Sequence, residues 1–235
     1  GLQKLADLDI VFPERQDAEE LTLAAKFITE DGIELANDWK VWGYPKAEMP
    51  ALPADALVTS AFDEKVFAAL DEGKTVLLTL SKPPVKGQAD YFFPGARERC
   101  KPCIWDRGSN LGGIVYPEWL QTAMGSGKYF NLNWYALLEG GFKVCLDDFP
   151  CHVDEKICGV DKPVRDRMKS LAHHIKNFID RDTLRNFSHL FSLRYEKATL
   201  TVCTLAFGDL NDPTVPTFLS ALLNDRAHRQ ANATA

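Results

Sequence analysis

Asp55-Ala-Leu-Val-Thr-Ser60, Asp63-Glu-Lys-Val-Phe-Ala-Ala-Leu-Asp-Glu72, Gly73 and Thr75-Val-Leu-Leu-Thr-Leu80 run in succession, and their reading decides the fold. The first reads as a short buried strand. The second predicts a helix with Val66, Phe67 and Leu70 on one face and Gly73 as its C-terminal stop. The third is an apolar run that suits a strand covered on both faces. Strand, helix, glycine, strand is the signature of a βαβ unit, hence of a parallel sheet with right-handed crossovers. Residues 55 to 223 are therefore expected to form one three-layer α/β domain, with the strands at 55–60 and 75–80 parallel and adjacent.

Upstream the period is different. Leu21-Thr-Leu-Ala-Ala-Lys-Phe-Ile28 alternates, Asp31-Gly32 supplies a turn, and Trp39-Lys-Val-Trp-Gly-Tyr44 alternates again. This predicts a small antiparallel β segment outside the main sheet, and two or three strands alone are marginal. Met49-Pro50-Ala-Leu-Pro53 is a stiff linker. Downstream, Leu111–Tyr116 predicts a strand and Pro163 opens a helix with Val164, Met168, Leu171, Ile175 and Phe178 on one side. Leu190–Tyr195 and Thr199–Leu205 flank the turn at Glu196-Lys197-Ala198, and Pro216–Leu223 is a closing helix. The organisation expected is a β segment over 1–48, an α/β domain over 49–228 and a loose tail over 229–235.

Composition narrows the partners. The chain has 235 residues, 46% of them hydrophobic, which is globular, and 27 basic against 33 acidic residues leave a net charge of −6. No run of clustered Lys and Arg exists to neutralise phosphates, so nucleic acid is not expected as a partner. No apolar stretch approaches the roughly 20 residues that cross a bilayer, so no membrane partner is expected. The opening Gly-Leu-Gln-Lys-Leu-Ala has no signal-peptide anatomy.

Six cysteines stand at 100, 103, 145, 151, 158 and 203. Cys145 and Cys203 sit in apolar, β-branched runs and read as buried inert thiols. Cys100-Lys-Pro-Cys103 and Cys151–Cys158 read as loop sequence. Zinc would want two tight knuckles, and the second pair is widely spaced, although His152 is a further ligand type. A zinc site, a disulfide among the loop cysteines and free thiols all stay open, with free thiols the leading reading. No metal ligand set and no cofactor is assigned.

The common catalytic patterns are missing. No cysteine or serine sits on a G-x-C-x-G or G-x-S-x-G elbow, and Gly125-Ser126-Gly127 reads as a loop. There is no phosphate loop and no G-x-G-x-x-G between strand and helix. Asp147-Asp148 reads as a solvated turn, because neighbours on an extended chain face opposite ways. His173-His174 reads as helix surface, and the sequons at Asn186 and Asn232 are too short to carry weight.

Aromatics are the remaining signal. Ser126-Gly-Lys-Tyr-Phe-Asn-Leu-Asn-Trp-Tyr135 interleaves flat rings with carboxamides, as a sugar-binding surface requires. The candidate carbohydrate contacts are Trp105, Asp106, Trp119, Asn133, Trp134 and Tyr135. Core packing is the default for any single ring among them. The balance tilts toward the core for Trp134 and toward partial exposure for Trp105.

Asn37-Asp-Trp39-Lys-Val-Trp42-Gly-Tyr44-Pro45 resembles the N-x-W-x-x-W-x-Y-P strand that ends a β-sandwich module in a subset of bacterial glycoside hydrolase family 2-like proteins. In the same order as in that subset's C-terminal α/β module come Ala69–Leu78, then Ile104-Trp-Asp106 with Leu111–Ile114, then Phe130–Tyr135. Phe191–Leu205 resembles the closing strand pair. The chain departs where the family has a His-Pro loop, here Tyr116-Pro-Glu-Trp-Leu120, and where it has a Gly-Lys-Gly turn, here Glu196-Lys-Ala198.

The resemblance implies a three-layer flavodoxin-like or class I amidotransferase-like sheet, preceded by the end of a β-sandwich. Family 2 enzymes use two glutamates on a (β/α)8 barrel of about 250 residues. This chain has no room for a barrel, so no catalytic residue carries over. The function implied is that of a non-catalytic accessory region of a glycoside hydrolase-like protein. Its partners would be carbohydrate, the catalytic barrel of a parent protein or a second copy, in a periplasmic or extracellular setting. The alternatives are a free-standing hydrolase or transferase using Asp106, His152 or Cys103, and a purely structural interaction module.

Overall fold

A computed structural model describes residues 4, 7, 9–11, 14–46, 54–81, 113–147, 149–159, 185–208 and 210–233, with side chains described as far as Asp225 in the last helix. Strands β1 (Glu19–Ile28) and β2 (Glu34–Gly43) pair antiparallel along their whole length as a separate two-stranded sheet. Gly32, at φ +79°, closes the turn, where the Gly32 amide bonds to the Thr29 carbonyl at 2.9 Å. The alternation in the sequence sorts the two faces. Leu21, Leu23, Ala25 and Phe27 lie opposite Val41, Trp39, Asn37 and Leu35. The other face carries Glu20, Thr22, Lys26, Glu34, Asp38 and Lys40, with ion pairs Lys26–Glu34 at 2.6 Å and Lys40–Glu20 at 3.1 Å.

The main sheet, among the described residues, has the order β3 (Ala56–Thr59), β4 (Thr75–Thr79), β9 (Ala198–Cys203), β8 (Phe187–Tyr195), β7 (Val153–Gly159), β5 (Ile114–Val115), with β6 (Val144–Cys145) also paired to β8. β3 and β4 are parallel neighbours joined by α1 (Glu64–Asp71), as the βαβ reading requires. β9 continues the parallel set beside β4. From there the sheet turns antiparallel, through the hairpin β8–β9 expected from the sequence and on to β7 and β5. The architecture is thus α/β with a mixed sheet.

Local chemistry accounts for α1. Asp63 caps it by accepting from the Lys65 amide, and Gly73 at φ +77° lets the chain leave while its amide and that of Lys74 bond back to Leu70 and Ala69. α1 buries Val66, Ala69 and Leu70 against Val76, Leu78, Phe142, Phe191 and Val202 on one side of the sheet. On the other side, α2 (Glu118–Ala123), α3 (Tyr135–Leu138) and α4 (Thr214–Ala233) bring Leu120, Leu137, Leu138, Phe218 and Leu222 onto Leu77, Val115, Ile157, Leu190 and Cys203. Two apolar cores with the sheet between them make the three layers.

Two stretches differ from the sequence reading. Residues 153–159 form strand β7 and not the loop that Cys151–Cys158 suggested. The ladder between β7 and β8 is irregular between Glu155 and Cys158, which breaks the two-residue alternation and buries Lys156. The closing helix starts as expected but its backbone continues to Ala233, through most of the segment read as a loose tail. The linker at 49–53, the helix from Pro163, His173-His174, Asp148 and the Thr234 of the second sequon include residues outside the described set.

Candidate functional site

The aromatic and amide segment is built around Gly113, where a Cβ would stand 2.5 Å from the Phe130 ring and 2.9 Å from the Cys158 carbonyl oxygen. The Val115 amide bonds to Lys128 and the Phe130 amide to Gly113, which draws residues 128–130 alongside β5. Gln121 Nε2 donates to the Val115 carbonyl at 2.8 Å and ties α2 to that strand. Asn131 caps the 3-10 turn Leu132–Trp134 by accepting from the Leu132 amide. That turn sets the direction of every ring that follows.

Trp134 points inward and is completely buried, 5.0 Å from the Phe130 ring and 6.0 Å from Phe218. Its Nε1 donates to Ser126 Oγ at 3.3 Å. Asn133 is buried as well, and its Nδ2 donates to the Met124 carbonyl at 3.0 Å. The Tyr44 hydroxyl, from the residue that follows β2, donates to the same oxygen at 3.4 Å, and burial pushes its pKa up to about 12. Asn133 therefore serves the joint between the hairpin and the α/β part. Trp119 packs half-buried against the core beside α4, with its Nε1 buried and unbonded. Tyr135 is 39% exposed, and its neighbours Tyr129 and Leu132 are exposed more. Trp105 and Asp106 lie outside the described residues. The structure thus brings Asn133 and Trp134 together in the interior and leaves Tyr135 at the surface.

Beside this segment, between the start of β1 and α2, lies an open trough of about 570 Å³. Its walls include Glu19, Glu20, Glu118, Gln121 and Ser126, and none of the described residues that line it is aromatic. Glu19 is held by Arg15 and Glu20 by Lys40, so two of its three carboxylates are already paired. Gly125, at φ +56°, forms the floor where the chain at Ala18 comes so close that a Cβ would stand 2.7 Å from its carbonyl carbon.

A second polar group was not legible in the sequence. Tyr116, Glu155 and Cys158 interact through side-chain hydrogen bonds at the edge formed by β5 and β7. Burial pushes the Tyr116 hydroxyl up to about 12, and burial raises the Glu155 carboxyl and the Cys158 thiol too. Every shift favours the neutral form, so this cluster lacks the low-pKa thiolate that a cysteine nucleophile needs. Glu155 and Cys158 come from β7 and Tyr116 from just past β5, about forty residues earlier in the chain, and no spacing signals the group. His152 and Cys151 are exposed, and Cys145, Cys151, Cys158 and Cys203 are free thiols. Cys100 and Cys103 fall outside the described residues, and no group of three metal-ligating side chains exists among those described.

No protein-family model matches the chain, and no curated protein matches it. Among the described residues no helix is long and apolar enough to cross a membrane.

Proposed function

We propose that this chain is a non-catalytic accessory region of a glycoside hydrolase-like protein. In this reading the hairpin β1–β2 belongs to a β-sandwich, and the α/β part, amidotransferase-like or flavodoxin-like in kind, packs against a catalytic barrel or another protein surface. One observation carries the proposal. The hairpin is sorted into an ion-paired face and an apolar face, and Leu23, Phe27, Leu35 and Trp39 on the apolar face stand 37–57% exposed. A sheet with one apolar face is half of a two-layer structure. The order of short motifs from Asn37 to Leu205 supports assigning the parent to the glycoside hydrolase class. Carbohydrate contact falls to the rings within reach of solvent, Tyr135 and Trp119, with the exposed Tyr129 of the same segment as a further ring. A periplasmic or extracellular setting belongs to the same reading.

The free-standing hydrolase or transferase finds less support. Of the three residues it would use, His152 is exposed, and Cys103 and Asp106 lie outside the described residues.

The test is turnover together with sugar binding. The purified chain should release no nitrophenol above blank from aryl β-galactoside, β-glucuronide or β-mannoside. It should be retarded in native gels cast with at least one of a panel of soluble polysaccharides, and Tyr135→Ala should relieve the retardation. Turnover that survives repurification and vanishes when one carboxylate is replaced would overturn the accessory reading. Free migration through every polysaccharide would remove the sugar contact from it.

A further inference from the structure

We infer that the apolar face of the β1–β2 hairpin is a self-association surface, on which a second copy of this chain packs face to face. The inference rests on the reading of this face as half of a two-layer structure, and it names a second copy, in place of a sandwich sheet of a parent protein, as the other half. Three features of the face point to a copy of itself.

The first is charge. The centre of the face carries Leu23, Ala25, Phe27, Leu35, Asn37 and Trp39 and no ionised group; the charged side chains of both strands lie on the opposite face except Glu19, which is paired with Arg15 at the base of the hairpin beside Gly43. A chain with net charge −6 repels its own copy wherever acidic surfaces meet. Across these six central positions two copies meet without any like charge in contact. A partner recognised by its own charge would find nothing here to read.

The second is the order of sizes. From turn to base the cross-strand pairs are Phe27 with Leu35, Ala25 with Asn37, and Leu23 with Trp39, so a small central pair lies between two large ones. A two-fold axis in the interface plane at the level of Ala25 lays Leu23 over the partner's Phe27 and Trp39 over the partner's Leu35. It sets Ala25 against its own copy. Asn37, the single polar side chain among these six, then meets its own copy. A carboxamide carries both a donor and an acceptor, so two of them related by a dyad satisfy each other reciprocally.

The third is area. With large side chains near 200 Å² each, the exposed parts of Leu23, Phe27, Leu35 and Trp39 come to roughly 400 Å² per copy. Ile33, 58% exposed, and the flanking Leu21 and Val41 bring a pair to about 1,000 Å², the lower bound for a specific interface. The dimer expected is therefore concentration-dependent and not permanent. Burying this face also supplies what a lone two-stranded hairpin lacks, an apolar layer on one side.

Sedimentation equilibrium of the full chain over the micromolar to submillimolar range tests this. The weight-average mass should rise from that of one copy, 26.3 kDa, toward twice that value. Asn37→Asp should hold the mass at one copy near pH 7, because it sets two carboxylates together at the dyad, and should restore association below about pH 4, where they protonate. Leu35→Lys should hold it at one copy at either pH. Both positions are exposed in the monomer, so neither variant threatens folding. Thr22→Lys, on the opposite face, should associate like the parent. A parent that stays at one-copy mass at every concentration, or variants Asn37→Asp and Leu35→Lys that associate as the parent does, would overturn the inference. Either result would leave the enzymatic and sugar-binding tests of the accessory reading untouched.

Discussion

The carboxamide of Asn133 donates to the carbonyl of Met124 across 3.0 Å. Because Tyr44 reaches that same oxygen, one buried acceptor holds both the α/β part and the base of the hairpin. Removing Asn133 leaves the carbonyl with only the longer bond. Asn133→Ala should lower stability by about 1–3 kcal/mol, while Tyr44→Phe should lower it by about 1 kcal/mol or less. Urea midpoints order the two. An equal loss from both would mean that the Met124 oxygen is not their shared anchor.

Gly125 meets the hairpin from the other side. Its left-handed backbone and the close approach of Ala18 leave no room for a methyl group. Gly125→Ala should therefore loosen the entry to β1 before it harms the main sheet. In hydrogen exchange, amides of residues 18–23 should lose protection while those of β4 and β8 keep it. Uniform loss across the chain would refute a local role.

Trp134 separates a core ring from a sugar platform. Its complete burial makes Trp134→Ala a cavity mutation, worth about 3–5 kcal/mol. In a chain of this size that corresponds to a melting temperature lower by roughly 10 °C. Tyr135→Ala should stay within about 1 kcal/mol of the parent. Calorimetry that finds the two variants equally stable would contradict the opposite orientations of these neighbours.

His189 gives a pH dependence of defined sign. Burial pushes its pKa down from 6.5 to about 3, the Lys143 ammonium adds to the shift, and the hydrogen bond between Nδ1 and the Phe142 carbonyl opposes it. The unfolded chain takes up a proton there as pH falls through 6.5, and the native state does not until about pH 3. Stability from this group is full above 6.5 and is lost toward 3, at about 1.4 kcal/mol per pH unit. Between pH 8 and pH 5 the parent should lose more stability than His189→Asn. Parallel losses in the two proteins would show that His189 is not buried in its neutral form.

The thiols should differ sharply in reactivity. Cys203 is fully buried, with its pKa pushed up to about 12, Cys145 is buried and raised, and Cys151 is exposed. Alkylation of the native chain, followed by peptide mass spectrometry, should find Cys151 modified first among the four described cysteines. Cys145 and Cys203 should react more than about a hundredfold slower, since labelling them requires opening the core. Labelling of Cys203 at the rate of Cys151 would be incompatible with its place between β4 and β8.

Much of the fold was legible because its signals are local. The switch from a period of two in Leu21–Ile28 to strand, helix and glycine in 55–80 marks the hairpin and the βαβ unit, and Asp63 and Gly73 mark the ends of α1. β7 was not legible, because the irregular ladder beside Glu155 and Ile157 places Lys156 inside and removes the alternation that announces a strand. For the site, the composition of 126–135 was informative but its direction was not. Whether Trp134 faces a sugar or Phe218 depends on how the turn capped by Asn131 meets α4, a relation across more than eighty residues. Tyr116, Glu155 and Cys158 illustrate the same limit, since their proximity exists only once β5 and β7 pair.

The position of β9 bears on how the chain is made. β9 is inserted between β4, more than a hundred residues earlier, and β8. Until residues 198–203 have left the ribosome, β4 has an open edge on that side and the two halves of the sheet cannot join. β3, α1 and β4 can associate early through local contacts, but the central ladder is a late, long-range event with a correspondingly slow closure. A nascent chain stalled before Ala198 would expose two unpaired strand edges to its neighbours, which makes β9 the element whose loss in synthesis most invites aggregation.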